Sequence, residues 1–291
     1  MNTKEIIKKF IPPILLEAKA VLFPYKPANQ PHDFSDLAQK NKHFKNIHSG
    51  ETVYILASGP SIQQQDLKPL ANKTTIAVSH FHLHKDIEII NPNYHVLAPQ
   101  HPPFEFNDSS KYFKDFHNAY KKHNTKVFLG LTNYVYNYLE LLKKFPELYY
   151  PHQYYIDYSR SPQLDETNLY DQSVWDLAKK PFGIRTVLYS AIQMAIYMGF
   201  KKIILLGCDH DYLNDIARTT NHHFYEEEKG ISDKNHLDAF TKERWFLEYY
   251  MRWKQYRLIN EFANSQGIKI YNATPGGMLD VFELKKYEET L

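Results

Sequence analysis

Thiols, charge of one sign and long apolar runs are all scarce in this chain. Its 291 residues hold a single cysteine, Cys208. That excludes an internal disulfide and any zinc cluster built on several thiolates, and it fits a reducing compartment. The formal net charge is only +2, with no basic stripe, so nucleic acid is not an expected partner. No uncharged stretch reaches the roughly 18 residues that a spanning helix needs. A small-residue cleavage site behind an apolar core, the mark of a signal peptide, is also missing. There is no internal repeat and no low-complexity tract, and neither the Walker A loop nor the G-x-G-x-x-G dinucleotide fingerprint is found.

What is present is an ordinary globular composition, 43% hydrophobic and 23% charged, with many aromatics. There are 23 tyrosines and 15 histidines; tyrosine joins an apolar ring to a polar tip, which suits sugar and nucleotide sites. Residues 4–25, KEIIKKFIPPILLEAKAVLFPY, mix Ile6, Ile7, Phe10 and Leu15 with Lys4, Lys8 and Lys9. Two readings stand side by side for residues 1–26: a basic amphipathic segment lying on an anionic membrane surface, or a helix packed on its own domain or a partner. Residues 27–50 are polar and contain prolines, and read as a linker or loosely packed arm.

From residue 51 the chain alternates β-like runs with helical patterns. The strand candidates are 53–57, 74–79, 94–98, 126–130, 202–206 and 268–271. Helices are expected over 184–198, closed by Gly199, and over roughly 236–266, where Trp245, Tyr249, Trp253, Tyr256, Ile259 and Phe262 recur at helical spacing. Such alternation predicts one α/β domain over 51–291, a Rossmann-like mostly parallel sheet with helices on both faces. Ligands of such sheets lie beyond the carboxyl ends of the strands. The segments there are Ser58-Gly59-Pro60-Ser61, His80-Phe81-His82-Leu83-His84, Pro99-Gln100-His101, Gly207-Cys208-Asp209-His210-Asp211-Tyr212, and Asn272-Ala273-Thr274-Pro275-Gly276-Gly277. They form a polar rim on an apolar scaffold.

Each motif has a functional and a plain reading. Ser58-Gly59-Pro60-Ser61 has the logic of a nucleotide loop: Gly59 admits close approach, two serines offer hydroxyls, and a following helix would present free N–H groups. A plain turn accounts for it equally well. Asp209 and Asp211 can hold a divalent metal or do acid–base chemistry, or Asp209 can fasten its loop through backbone amides. The polar stretch of about 213–240, long for a compact domain, reads as a lid, and its His222, His223 and His236 are candidate general bases, since histidine titrates near neutral pH. His80, His82 and His84 would share one face if the backbone were extended. Glu243, Arg244, Glu248, Arg252 and Lys254 read as the solvated face of the long helix.

Three pieces in order, YILASGPSI, RTVLYSAIQMAIYMGFKKIILLGCDHDY and GIKIYNATPGGMLDVFE, carry a resemblance over roughly residues 50–283. The first two resemble the bacterial lipooligosaccharide sialyltransferases, a GT-A-like variant of the fold. The last two resemble the motility-associated-factor glycosyltransferases of nonulosonic acids, which share a domain with hydroxymethylpterin pyrophosphokinases. The resemblance implies transfer of a sialic-acid-like sugar from a CMP-activated donor, with no metal or other cofactor, to a surface glycan or lipid-linked glycan. It places Ser58, Gly59, Pro60 and Ser61 on the nucleotide. It sets Tyr212 and Tyr225 on the departing phosphate, and Asn272, Thr274, Gly276 and Gly277 over the nucleotide. Ser79 and Gln100 stand where the sialyltransferases carry asparagines. By rough count the family's catalytic histidine falls near Tyr249, so His223, then His222 and His236, are the candidates for its role, with Asp209 beside them. The implied setting is cytoplasmic, peripheral on the inner face of the membrane, with homo-oligomerisation left open. The alternatives are an ATP- and magnesium-dependent pyrophosphokinase-like enzyme using Asp209 and Asp211, or a non-catalytic nucleotide- or glycan-binding member of the fold.

Overall fold

In the computed structural model, residues 33–101, 106–215, 221–226 and 241–291 are described. The segment 4–25 and His236 lie outside them. Eight strands form one sheet: β1 (Thr52–Leu56), β2 (Thr75–Val78), β3 (Tyr94–Leu97), β4 (Lys126–Leu131), β5 (Gln153–Asp157), β6 (Lys202–Leu206), β7 (Lys269–Asn272) and β8 (Glu283–Leu284). The order is β5-β4-β3-β2-β1-β6-β7-β8, and every pairing is parallel. The protein is therefore an α/β, Rossmann-like fold. Six of the strands were anticipated; β5 and β8 were not.

Alternation along β1 shows how the sheet is covered on both faces. Val53 and Ile55 pack into one core with Ile203, Leu205 and Ile270. Tyr54 and Leu56 face the opposite one with Ile204 and Leu206. Val53, Tyr54, Ile55 and Leu56 are all at most 2% exposed, as expected of a strand buried on both sides. Six α-helices are described: α1 (Ser35–Gln39), α2 (Ile87–Ile90), α3 (Phe106–Tyr120), α4 (Tyr138–Lys144), α5 (Val187–Met198) and α6 (Lys242–Ser265). On the first face lie α5 and the second half of α6, through Leu188, Ile192, Ala195, Tyr256, Ile259 and Phe262. Against β4 and β5, α3 and α4 make a second core with Phe113, Phe116, Tyr120 and Leu141. Thr186 caps α5, its hydroxyl accepting from the Leu188 amide, and Gly199 closes the helix at φ 91°, where a left-handed residue ends the helix without a Cβ penalty. No helix among the described residues is long and apolar enough to cross a membrane.

The linker reading of 27–50 fails over its second half. Ala38 and Phe44 are buried, and Asn41 donates to the carbonyls of Tyr155 and Leu177 at 2.7 and 2.9 Å. The amides of Asn46 and His48 bond the last carbonyls of α5. These partners lie far along the chain, so local polarity misled the reading.

Candidate functional site at the carboxyl edge of the sheet

From β1 the chain winds outward to β5, then returns to lay β6 on the other side of β1. That reversal is the topological switch point, the place where sheets of this kind bind their ligands. The loop after β1 is residues 58–61; the loop after β6 is 207–212.

The two loops are stitched together. The Gly59 amide donates to the Gly207 carbonyl at 2.9 Å. The Ser61 amide and hydroxyl donate to the Asp209 carboxylate at 3.2 and 2.8 Å. The Ile62 amide turns back to the Gly59 carbonyl, and Pro60 has no N–H to give. The expected row of free amides is therefore already occupied by the protein. Gly59 serves the same closure: a Cβ there would run into the Asp209 carboxylate and stand 2.6 Å from the Gly207 oxygen. What approaches this glycine is the protein's own next loop. Burial pushes the Asp209 carboxyl up, with the Ser61 hydrogen bonds pulling the other way. Asp209 is a staple, the plain reading of the sequence, and not an open acid, base or metal ligand.

The loop after β7 is sewn to the same place. Asn272 donates to the Leu279 carbonyl at 2.9 Å and accepts from the Thr274 amide at 3.1 Å. The Thr274 hydroxyl accepts from the Cys208 amide at 2.9 Å. Gly277, at φ 81°, would carry a Cβ 2.6 Å from the Asp209 carbonyl, and the next amide, Met278, bonds that carbonyl at 2.7 Å. Asn272, Thr274 and Gly277 thus serve the fold at the switch point, whereas Gly276 is exposed, with nothing near its Cβ position.

Residues 221–226 lie over the loop after β1. The Phe224 amide donates to the Ser58 carbonyl at 3.0 Å, and Gln63 Nε2 donates to the Phe224 carbonyl at 2.8 Å. His223 Nδ1 stands 3.4 Å from the Ser58 hydroxyl. Its ring stacks on Tyr225 at 4.9 Å, and Tyr225 stacks on His80 at 4.3 Å. His222 is held differently, with Nδ1 2.9 Å from Asp211 and Nε2 3.3 Å from Asp215. Its Nδ1 is engaged by a carboxylate, while Nε2 lies near Asp215 without forming a hydrogen bond among the described residues. Tyr212 lies against His222, ring centres 5.0 Å apart.

After β2 and β3 the chain is tighter than expected. Ser79 to Leu83 form a 3-10 helix, so His80, His82 and His84 do not share a face. Ser79 sits at φ 49°, and its carbonyl accepts from His95 Nε2 and the Tyr112 hydroxyl. His82 is 4% exposed, and burial holds its pKa down to about 4. Gln100 is also buried, and its side-chain oxygen has no partner among the described residues. No group of three or more His, Cys, Asp or Glu side chains among the described residues is placed to hold a metal ion.

The sequence reading missed a cationic cluster. Arg185, just before the cap of α5, donates from Nη1 to Glu248 of α6 at 2.7 Å, and Arg244 reaches the other oxygen of Glu248 at 2.7 Å. The side chains of Arg185 and Glu248 are only 10% and 15% exposed, so this part of α6 is not a solvated face. Arg185 Nε and Nη2, Arg252 Nε and His210 Nδ1 are buried without partners among the described residues. A buried donor left unpaired costs about 1–3 kcal/mol. One signal was available: a helix that leads into β6 must start at the carboxyl edge, which puts Arg185 there.

The family model described as 6-hydroxymethylpterin diphosphokinase MptE-like matches residues 28–215. No curated protein matches the chain. Among solved structures, the sialyltransferase CstII from Campylobacter jejuni in complex with cytidine 5'-monophosphate is similar at 16% identity, covering 81% of this chain and 85% of that one, with a TM-score of 0.45. The MAf glycosyltransferase from Magnetospirillum magneticum AMB-1 is similar at 14% identity and a TM-score of 0.47 over 90% of this chain, which spans only 40% of that protein.

Proposed function

This chain belongs to the MptE-like family, and we propose that it is a metal-independent glycosyltransferase that moves a sialic-acid-like sugar from a CMP-activated donor to a glycan acceptor. The observation that carries the reading is how charge is distributed at the switch point. Asp209 is bound to Ser61 and Asp211 to His222, while Nε and Nη2 of Arg185, whose Nη1 is held by Glu248, and Nε of Arg252 are buried without partners among the described residues. A leaving nucleoside monophosphate would have its negative charge met by fixed cations and hydroxyl donors, an arrangement that acts without reorganisation in a dry site. In this reading Arg185 and Arg252, with Tyr212 and Tyr225, receive the phosphate. Ser58, Ser79 and Gln100 contact the donor. Pro60 and Gly276 line the mouth of the site. His223, above Ser58, takes the proton of the attacking acceptor hydroxyl as a neutral imidazole. The acceptor is a surface or lipid-linked glycan, and residues 4–25 would bring the enzyme to the cytoplasmic face of a membrane.

The name of the family favours a second reading, an ATP- and magnesium-dependent diphosphokinase. A divalent ion would look to Asp209 and Asp211. Both Asp209 oxygens are turned to Ser61 and one oxygen of Asp211 to His222, and no group of three or more His, Cys, Asp or Glu side chains among the described residues is placed to hold such an ion. The test is thermal unfolding with CMP, CDP, UDP, GDP and ATP, each with magnesium and with EDTA. A ligand at 100 times its Kd stabilises by about 2.7 kcal/mol, a shift of several degrees for a chain of this size. CMP should raise Tm equally under both conditions. A rise with ATP and magnesium alone would overturn the transferase reading in favour of the diphosphokinase.

A further inference from the structure

Between the two pinned aspartates sits a residue that neither role absorbs. His210 adopts φ 49° and ψ 34°, the left-handed region, which costs a non-glycine residue about 1–2 kcal/mol. Both neighbours hold it there, Asp209 through Ser61 and Met278, Asp211 through His222. Its ring is fixed too: Nε2 lies 2.6 Å from the hydroxyl of Tyr256, a residue of α6 that is 0% exposed.

That contact is compatible with two tautomers. With the proton on Nε2 the ring donates to Tyr256 and the buried tyrosine proton needs another acceptor; with the proton on Nδ1, Tyr256 donates to Nε2 and the Nδ1–H is the donor without a partner among the described residues. Each leaves one buried donor, at a cost of about 1–3 kcal/mol, and an anion brought to Nδ1 satisfies the second arrangement alone. Burial, with the Arg252 charge nearby, lowers the His210 pKa to about 3, so the ring is neutral at physiological pH. Nδ1 is buried and without a partner among the described residues. The second arrangement is a neutral N–H donor on a strained backbone, one turn beyond β6 at the switch point, anchored from behind by a core tyrosine.

We propose that His210 is a ligand-contacting residue of this site, its Nδ1–H donating to a phosphate oxygen of the bound nucleotide, and that Tyr256 is the positioning residue that fixes its tautomer. The assignment rests on the reading of the site as one that takes a phosphate-bearing donor. The phosphate, and not the sugar or the base, is the partner because Arg252, whose Nε is also unpaired, is the charged neighbour of this ring. A neutral donor beside a fixed cation binds an anion at any pH above about 4 without itself adding charge.

Two isosteric replacements separate contact from structure. In His210→Asn the side-chain nitrogen falls where Nδ1 was, and asparagine tolerates the left-handed backbone; the Tyr256 contact is lost. In His210→Gln the amide reaches the Nε2 position and keeps Tyr256, but the δ donor is gone. Titration calorimetry with CMP should show His210→Asn within about threefold of the wild type and His210→Gln weakened at least tenfold. The reverse order, or equal affinity in both, overturns the proposal and leaves a structural histidine or a trapped water. Imidazole nitrogen NMR of the wild-type protein tests it without a variant: the Nδ1-protonated tautomer should be present, and its signal should move when CMP binds. A proton found on Nε2, or a signal unmoved at saturation, overturns it. If the wild type binds ATP with magnesium and not CMP, the transferase reading falls while the same two variants still test His210 on ATP. If it binds neither these nucleotides nor pyrophosphate, both fall.

Discussion

Replacing Gly59 by alanine should destabilise the protein with no ligand present. The backbone there, φ −67° and ψ 153°, suits alanine, so the cost arises from contact. The new methyl would overlap the Asp209 carboxylate and stand 2.6 Å from the Gly207 carbonyl. Overpacking of this kind costs about 1–3 kcal/mol. Relieving it parts the two loops and stretches the Ser61 hydrogen bonds to Asp209, at 3.2 and 2.8 Å, where a bond to a charged group is worth about 1.5–3 kcal/mol. The restricted unfolded chain returns about 0.4–1 kcal/mol. The net expectation is a loss of about 3 kcal/mol, or roughly 6–9 °C in Tm. Asp209→Ala by itself should cost about 1–3 kcal/mol, because the Ser61 amide and hydroxyl lose their acceptor. Combined with Gly59→Ala it should cost less than the sum by about 1 kcal/mol, since the carboxylate that the methyl strikes is gone. Urea unfolding of the four proteins completes the cycle. A Gly59→Ala protein of wild-type stability that had lost CMP binding would refute the reasoning and return the glycine to the ligand.

Acid should weaken the fold through its buried histidines. His82 has its pKa lowered by burial from 6.5 to about 4, and His80 and His210 are lowered to about 3. Such groups add stability that is complete above pH 6.5 and fades as pH falls towards their folded values, so at pH 5 His82 should cost about 2 kcal/mol. Urea titrations at pH 7 and pH 5 should show that loss in the wild type and less of it in His82→Phe. Asp209, raised by burial, works in the opposite direction, gaining relative stability as it protonates. Glu248→Ala strands the Arg185 and Arg244 guanidiniums, both bonded at 2.7 Å, and should cost about 3 kcal/mol by urea unfolding; Glu248→Gln should recover part of it. Gly199→Ala forces a side chain into φ 91° and within 3.1 Å of Asn46 Cα, for an expected loss of about 1–2 kcal/mol in the same assay.

Much of the scaffold was legible because its signal is local. The runs that became β1, β2, β3, β4, β6 and β7 are short, apolar and spaced by helices, and Gly199 announced the end of α5. The strand β5 escaped notice because its sequence, Gln153-Tyr154-Tyr155-Ile156-Asp157, is aromatic with polar ends and has no alternation to reveal it. Residues 35–50 looked like a linker because their partners, Tyr155, Leu177 and the end of α5, lie more than a hundred positions away. The site was legible as a place and as a set of loops. It was not legible as a division of labour: Glu248 looked solvated until Arg185, 63 positions upstream, was brought against it, and Asn272 and Thr274 looked like ligand groups until they met Leu279 and Cys208.

By itself the sequence determined a parallel α/β sheet and a polar rim at its carboxyl edge, because strand and helix periodicity, capping and turn chemistry are properties of neighbouring residues. Only the tertiary structure decided which of those polar groups serve the fold and which are left for a ligand. Asp209 and Ser61 are 148 positions apart, and nothing in either segment says that the carboxylate will be satisfied by that serine while His210 Nδ1 and Arg252 Nε go without a partner among the described residues. Hydrogen-bond satisfaction depends on what the fold places within three ångströms, and chain neighbours supply little of that.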